Sequence, residues 1–215
     1  MKVGDFFKET GAGSCDLKDF TLKLITALEG EARELVERGA GLEEWREYFD
    51  WRRKFIARAL TVFCLKCNCP ALLRIQLYQY LENEFSAEFM LSTLLMLAGS
   101  KKSAEEDKED ESFWLKMHCR KLFKEKLRIE EPSLKELAED IIYAYDSNFE
   151  MAWKEGDNEE REWFLKWAYE FIVDELSIYC LLCENCPGEL KEKLIKAILT
   201  EDSSELYDYV YKIAS

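Results

Sequence analysis

The chain carries eight cysteines, and six of them fall in two short clusters with similar spacing. The first cluster reads FCLKCNCP over 63–70, and the second reads YCLLCENCP over 179–187. Cysteine thiolates bind zinc and iron–sulfur clusters, and short C-x-x-C spacings are common in both kinds of site. The clusters therefore predict a metal site, with zinc or an iron–sulfur cluster as the cofactor and these candidate ligands: Cys64, Cys67, Cys69, Cys180, Cys183 and Cys186.

The two remaining cysteines, Cys15 and Cys119, are candidate additional ligands, which would give each half of the chain four thiols. The inner spacings of the two clusters differ by one residue, and neither matches the ferredoxin run. Two other interpretations stay open. The cysteines could form disulfides that staple a helix corner, or they could be buried free thiols that pack as small apolar side chains.

Other chemistry-bearing motifs are scarce. His118 is the single histidine, which excludes enzyme classes that need several histidine ligands. The sequence holds no G-x-G-x-x-G, no Walker loop and no G-x-S-x-G. We therefore expect no catalytic residues and favour a protein that is not an enzyme.

The cysteine clusters belong to an internal repeat. A shift of about 116 positions places Cys64 on Cys180 and Cys67 on Cys183, and it also matches Trp51 with Trp167. Pro70 and Pro187 follow the clusters at corresponding points. The sequence therefore predicts a tandem duplication of a unit of roughly 100 residues.

Apolar residues recur at helical spacing throughout both repeats, and no segment alternates convincingly with the period of a strand. We predict an all-α fold, a helical bundle or array, in which each cluster marks the end of a long helix. The predicted organisation is a first helical repeat at 1–98, a charged linker at 99–112 and a second helical repeat at 113–215. The two repeats would pack as one body or as two lobes.

The net charge of −14 opposes binding to nucleic acid and to anionic membranes. The N-terminus lacks the apolar core of a signal peptide, and the longest apolar stretch, 89–99, is too short to span a membrane. We therefore expect a cytoplasmic protein. Abundant Glu and Lys with little Gln suggest a thermophilic source, where cytosolic disulfides also occur.

The last helix of the first repeat, FSAEFMLSTLLMLAG, is apolar on nearly every side. Such a helix is either buried between the repeats or forms a surface for a protein partner or a second copy of the chain. The leading hypothesis is a non-catalytic, adaptor-like or chaperone-like protein. The alternative is a metal-binding or iron–sulfur redox or sensor protein. The candidate partner-binding residues are Phe85, Phe89, Met90, Leu94 and Leu97.

Overall fold

The computed structural model describes residues 1–67, 69–82, 84–99, 108–154 and 156–215, and every regular element in these ranges is an α-helix. The all-α prediction is therefore confirmed for them. No helix of the described ranges is both long and apolar enough to cross a membrane. In chain order the helices are α1 (Val3–Thr10), α2 (Leu17–Glu37), α3 (Leu42–Cys67), α4 (Ala71–Leu81), α5 (Ala87–Gly99), α6 (Lys108–Lys126), α7 (Leu134–Lys154), α8 (Asn158–Leu182), α9 (Gly188–Thr200) and α10 (Ser204–Ala214).

The chain forms two compact units, Met1–Glu111 and Ser112–Ser215. Part of the predicted linker at 99–112 belongs to helices, because Gly99 is the last residue of α5 and α6 begins at Lys108. The rest of that linker, residues 100–107, lies outside the described residues. The division into repeats at 1–98 and 113–215 stays a prediction.

Local sequence explains where several helices begin. The Asp16 carboxylate accepts hydrogen bonds from the backbone N–H groups of Lys18 and Asp19 at 2.8 and 3.1 Å, which caps α2. At α8, the Asp157 side chain and the Glu160 side chain each accept from the other's backbone N–H, which forms a complete capping box. These caps satisfy backbone donors that a helix leaves unpaired in its first turn.

The core of the first unit is aromatic. Phe6 of α1 meets Phe20 of α2 and Phe55 of α3 edge to face, with ring centroids 6.0 and 5.5 Å apart. Phe20 also stacks on Phe63 near the end of α3 at 4.3 Å. These contacts bring the start of α2 close to the cysteine end of α3.

The second unit is centred on Phe164 of α8, whose ring contacts Tyr145 of α7 at 5.2 Å. Tyr145 contacts Tyr207 of α10 at 4.4 Å, so one chain of rings joins three helices. Nearer the cysteine end of α8, Tyr179 meets Phe123 of α6 at 6.0 Å. The core of this unit therefore fixes α6 beside the last turns of α8.

Two buried tyrosines predict a loss of stability at alkaline pH. Burial raises the pKa of Tyr80 to about 12, and burial does the same for Tyr179. Both phenols are neutral in the fold, whereas the unfolded chain ionises them above about pH 10. Their stabilisation is therefore complete below pH 10 and is lost as pH rises towards 12. We expect the free energy of unfolding to fall by about 1 kcal/mol per tyrosine between about pH 9 and pH 11.

Urea unfolding at the two pH values, with the Tyr80→Phe, Tyr179→Phe double variant as the control, checks this expectation. The variant loses the hydrogen bonds that these phenols donate to Arg53 O at 3.2 Å and Asn185 Oδ1 at 3.0 Å. The variant should therefore have a lower free energy of unfolding than the wild type near neutral pH. Its free energy of unfolding should fall less when the pH is raised. An equal alkaline loss in the variant and the wild type would contradict the account.

Candidate functional site: two cysteine corners and the outer face of α5

Each cysteine cluster forms a helix corner, which we define as the end of one long helix, the following short turn and the start of the next helix. In the first corner α3 ends at Cys67 and Pro70 is the N-cap of α4. In the second corner α8 ends at Leu182, Cys183 is its C-cap and Pro187 is the N-cap of α9. Proline disfavours the helical conformation of the residue before it, which explains why neither helix continues.

The two prolines hold nearly the same backbone conformation, with φ and ψ of −53° and 144° at Pro70 and −62° and 144° at Pro187. Their extended geometry turns the chain into the next helix without a side-chain cap. Proline also suits the first helical position, which would put Cys69 at the cap. The structure places Pro70 at the cap itself and Ala71 first in the helix.

In the first corner, a disulfide joins Cys67 at the end of α3 to Cys15, two residues before α2, with their Cα atoms 5.1 Å apart. Cys15 is exposed, and Cys67 is half-buried. The bond links segments 52 residues apart in the sequence, at the place where Phe20 and Phe63 stack. It therefore fastens the start of α2 to the end of α3.

The second corner contains two disulfides. Cys119 of α6 bonds to Cys183 across 64 residues of sequence, and Cys180 bonds to Cys186 across six. All four cysteines are buried. The short bridge closes the turn between α8 and α9, and the long bridge fixes α6 against the same turn.

Cys64 and Cys69 are free thiols in the first corner, and both are buried. The thiols share a hydrogen bond, so they lie in direct contact across the turn between α3 and α4. Burial raises the pKa of the Cys64 thiol well above its usual value, and the bond to Cys69 acts in the same direction. A neutral thiol is a poor nucleophile, so the raised pKa makes Cys64 less reactive than an exposed cysteine.

The structure gathers all the cysteines that the sequence marked as candidate ligands, in two groups of four. The first group is Cys15, Cys64, Cys67 and Cys69, and the second is Cys119, Cys180, Cys183 and Cys186. Six of the eight are joined in disulfides, and the described residues contain no cluster of three or more His, Cys, Asp or Glu side chains arranged for a metal ion. His118 belongs to neither group of cysteines, and its Nδ1 lies 2.8 Å from Trp114 O.

The second candidate site, α5, has two different faces. Met90 and Leu94 are fully buried, and α5 packs on α2, α3 and α4. These two predicted partner-binding residues are therefore core residues, because they lie on the inner side of the helix. The outer side presents Phe89, Leu95 and Met96, which are 44%, 51% and 59% exposed.

The other predicted partner-binding residues on this helix and its approach are half-buried. Phe85 lies just before α5 and contacts the Phe89 ring at 4.3 Å, and Leu97 lies near its end. The outer face of α5, which we define as Phe85, Phe89, Leu95 and Met96, is thus apolar. The predicted partner-binding residues did not include Leu95 and Met96, which lie one and two residues after buried Leu94. In a helix that is apolar on nearly every side, the sequence does not show which of these positions face outwards.

Several aromatic side chains on α7 and α8 of the second unit are exposed. Trp163 is 58% exposed and stacks on Trp167 at 6.1 Å, while Trp153 stacks on Phe149 at 4.8 Å. Sequence gave no signal for this exposure, since aromatic residues at helical spacing are typical of a buried face.

Comparison with protein-family models, with curated proteins and with solved structures finds no match to this chain.

Proposed function

We propose that this chain is a non-catalytic helical protein that binds a protein partner through the outer face of α5. The observation that carries the proposal is the exposure of Phe89, Leu95 and Met96 on one short helix. Apolar patches of this kind on a folded surface are typical of protein interaction sites.

The composition of this face suits recognition of an apolar protein segment. Phe89 supplies a large ring, and Met96 supplies a flexible, polarisable side chain that adapts to different partners. Around the face, Glu88 forms an ion pair with Arg52 of α3. The face is therefore an apolar centre with a charged neighbour, as in many protein interfaces.

The face is held on a rigid support, which lowers the entropy lost on binding. Met90 and Leu94 anchor the inner side of α5 in the core. Arg53 of α3 lies over the Tyr80 ring at 4.7 Å and donates a hydrogen bond to Phe85 O at 3.3 Å, which fixes the entry to α5. The net charge of −14 favours a partner whose surroundings are basic.

The test compares Phe89→Glu with the wild type in recovery of a co-purifying protein from the native source. We expect binding to weaken by tenfold or more, because a charge replaces an aromatic anchor at the centre of the face. Leu22→Glu is the matched control, since Leu22 lies on α2 of the same unit and is 55% exposed. We expect this control to retain binding within about twofold.

The proposal is contradicted if Phe89→Glu recovers the same partner as Leu22→Glu. It is also contradicted if the wild type recovers no partner and is a monomer. Sedimentation of the purified wild type shows whether the partner is a second copy of the chain, because only then does the purified protein form a dimer. If the partner is a second copy, Phe89→Glu should convert a dimer to a monomer, while Leu22→Glu should not.

We infer that the two units arose by duplication. Supporting this, Trp51 stacks on Phe55 at 4.8 Å and Trp167 stacks on Phe171 at 5.0 Å, at corresponding positions of α3 and α8. Each pair precedes a corner that ends at a proline N-cap. Cys67 and Cys183, which the repeat aligns, each form a disulfide with a cysteine from an earlier segment of their own unit.

A metal-binding redox or sensor function is the second candidate, and the gathering of four cysteines at each corner favours it. On reduction, the second corner would offer four thiolates, the number that structural zinc sites and many iron–sulfur clusters use. Elemental analysis of anaerobically purified protein tests it. Stoichiometric zinc or iron that is lost in Cys183→Ser would place this function first, and metal-free protein with intact disulfides would reject it.

We propose a cytoplasmic location only together with a thermophilic source. Three disulfides in one chain are unusual in the reducing cytosol of mesophiles but occur in the cytosol of hyperthermophiles. The enrichment of Glu and Lys over Gln supports the same source. A mesophilic source would instead favour an oxidising compartment.

A further inference from the structure

We propose that Cys64 and Cys69 are a reversible oxidation site, which a low-molecular-weight disulfide converts into a fourth disulfide across the first corner. The site is distinct from the outer face of α5 and does not depend on the proposed partner binding. Its product would close the turn between α3 and α4.

Contact between the two thiols is the first support. Cys64 and Cys69 share a side-chain hydrogen bond, so their sulfurs lie next to each other. Both residues are buried and have no third cysteine bonded to either of them. Two thiols held together in this way need only lose their protons and two electrons to form the bond.

The second corner supplies the independent support. There Cys180, on the last turns of α8, is already bonded to Cys186, which directly precedes Pro187. Cys64 occupies the last turn of α3, and Cys69 directly precedes Pro70. The two corners have the same order of helix, turn, cysteine and proline, and the second shows that this order accommodates a disulfide with Cα atoms 5.0 Å apart.

The reaction is a two-step exchange with oxidised glutathione as the example oxidant. The Cys69 thiolate attacks one glutathione sulfur, the glutathione disulfide breaks, and one glutathione leaves as a thiolate that takes up a proton. The Cys64 thiolate then attacks the Cys69 sulfur of the mixed disulfide and releases the second glutathione. Two cysteine thiols are oxidised to one disulfide, and one glutathione disulfide is reduced to two thiols.

Burial of both thiols makes this oxidation slow. The raised pKa of Cys64 keeps its thiolate scarce near neutrality.

Tryptic mapping of the wild-type protein tests the proposal, because Lys66 separates the two cysteines. Trypsin gives one peptide, 59–66, that contains Cys64, and another, 67–74, that contains Cys67 and Cys69. Before oxidation, alkylation in denaturant should label Cys64 and Cys69, and peptide 67–74 should be linked only to peptide 9–18, which carries Cys15.

After incubation of the folded protein with oxidised glutathione, we expect peptides 9–18, 59–66 and 67–74 to run as one cross-linked species with neither thiol labelled. The melting temperature should rise by about 5 °C, since a short loop of the unfolded chain becomes closed. Fragmentation of the cross-linked species between Cys67 and Cys69 in the mass spectrometer shows which of the two is bonded to Cys64. Persistent labelling of both thiols, a lasting glutathione adduct, or a bond from Cys64 to Cys15 or Cys67 would overturn the proposal. Because only the wild type is used, failure of a variant to fold cannot obscure the result.

Discussion

Replacing both Cys119 and Cys183 by alanine should lower the free energy of unfolding by about 4 kcal/mol, which is a large part of the stability of a typical domain. The bond closes a loop of 64 residues and therefore removes much of the conformational freedom of the unfolded chain. Equilibrium unfolding in guanidinium chloride measures the loss.

The short bridge of the same corner is the matched control. Cys180 and Cys186 are also buried, so their alanine variant loses similar side-chain packing, but their bond spans only six positions. The chain-entropy account therefore predicts a smaller loss of about 2 kcal/mol for this pair. Equal losses in the two variants, or a larger loss from the short bridge, would contradict this account. They would show that the long bridge does not stabilise the fold by closing a long loop of the unfolded chain.

Phe164→Ala should cost about 4 kcal/mol of unfolding free energy, in the range for truncation of a buried phenylalanine. The Phe164 side chain is fully buried and its ring contacts those of Tyr145, Phe149, Trp153 and Trp167. Truncation would leave a cavity bounded by rigid rings from α7 and α8, which cannot collapse without moving both helices.

The neighbouring residue provides the control for this effect. Trp163→Ala removes a larger side chain from the adjacent position of α8, but that side chain is mostly exposed. We expect a loss of less than about 1 kcal/mol. Comparable destabilisation by the two variants would contradict the placement of Phe164 inside the core and of Trp163 outside it.

Helix boundaries were largely accessible from the sequence, because their signals are local. Asp16 is of a residue type that favours helix N-caps and precedes an apolar periodic segment, and the structure uses it as the N-cap of α2. Pro70 and Pro187 likewise mark the two corners, where one helix ends and the next begins. These positions follow from short-range hydrogen bonding and backbone sterics, which depend on few neighbours.

Disulfide pairing was not accessible in the same way. Cys15 meets Cys67 only because the Phe20–Phe63 contact brings α2 to the end of α3. Cys119 meets Cys183 only because α6 packs beside the last turns of α8 through Phe123 and Tyr179. Both are tertiary contacts across more than 50 residues, and cysteine spacing does not encode them.

Which side of α5 is buried could not be predicted from the sequence for the same reason. Its sequence is apolar on nearly every side, so periodicity cannot tell which side is inner. The neighbours α2, α3 and α4 decide it by covering Met90 and Leu94 and leaving Leu95 and Met96 outside. The predicted partner-binding residues therefore combine core residues with exposed ones, and partner binding through this helix stays a prediction.

The most direct test of the cross-linked corners is disulfide mapping of untreated protein whose free thiols are trapped at the moment of purification, with metal analysis of the same sample. The account predicts bonds from Cys15 to Cys67, from Cys119 to Cys183 and from Cys180 to Cys186, with no bond between the two units. Chymotryptic cleavage after Leu181 or Leu182 puts Cys180 and Cys183 on different peptides and so separates the last two bonds. Trapped thiols on Cys119 and Cys183 together with stoichiometric zinc or iron would contradict it.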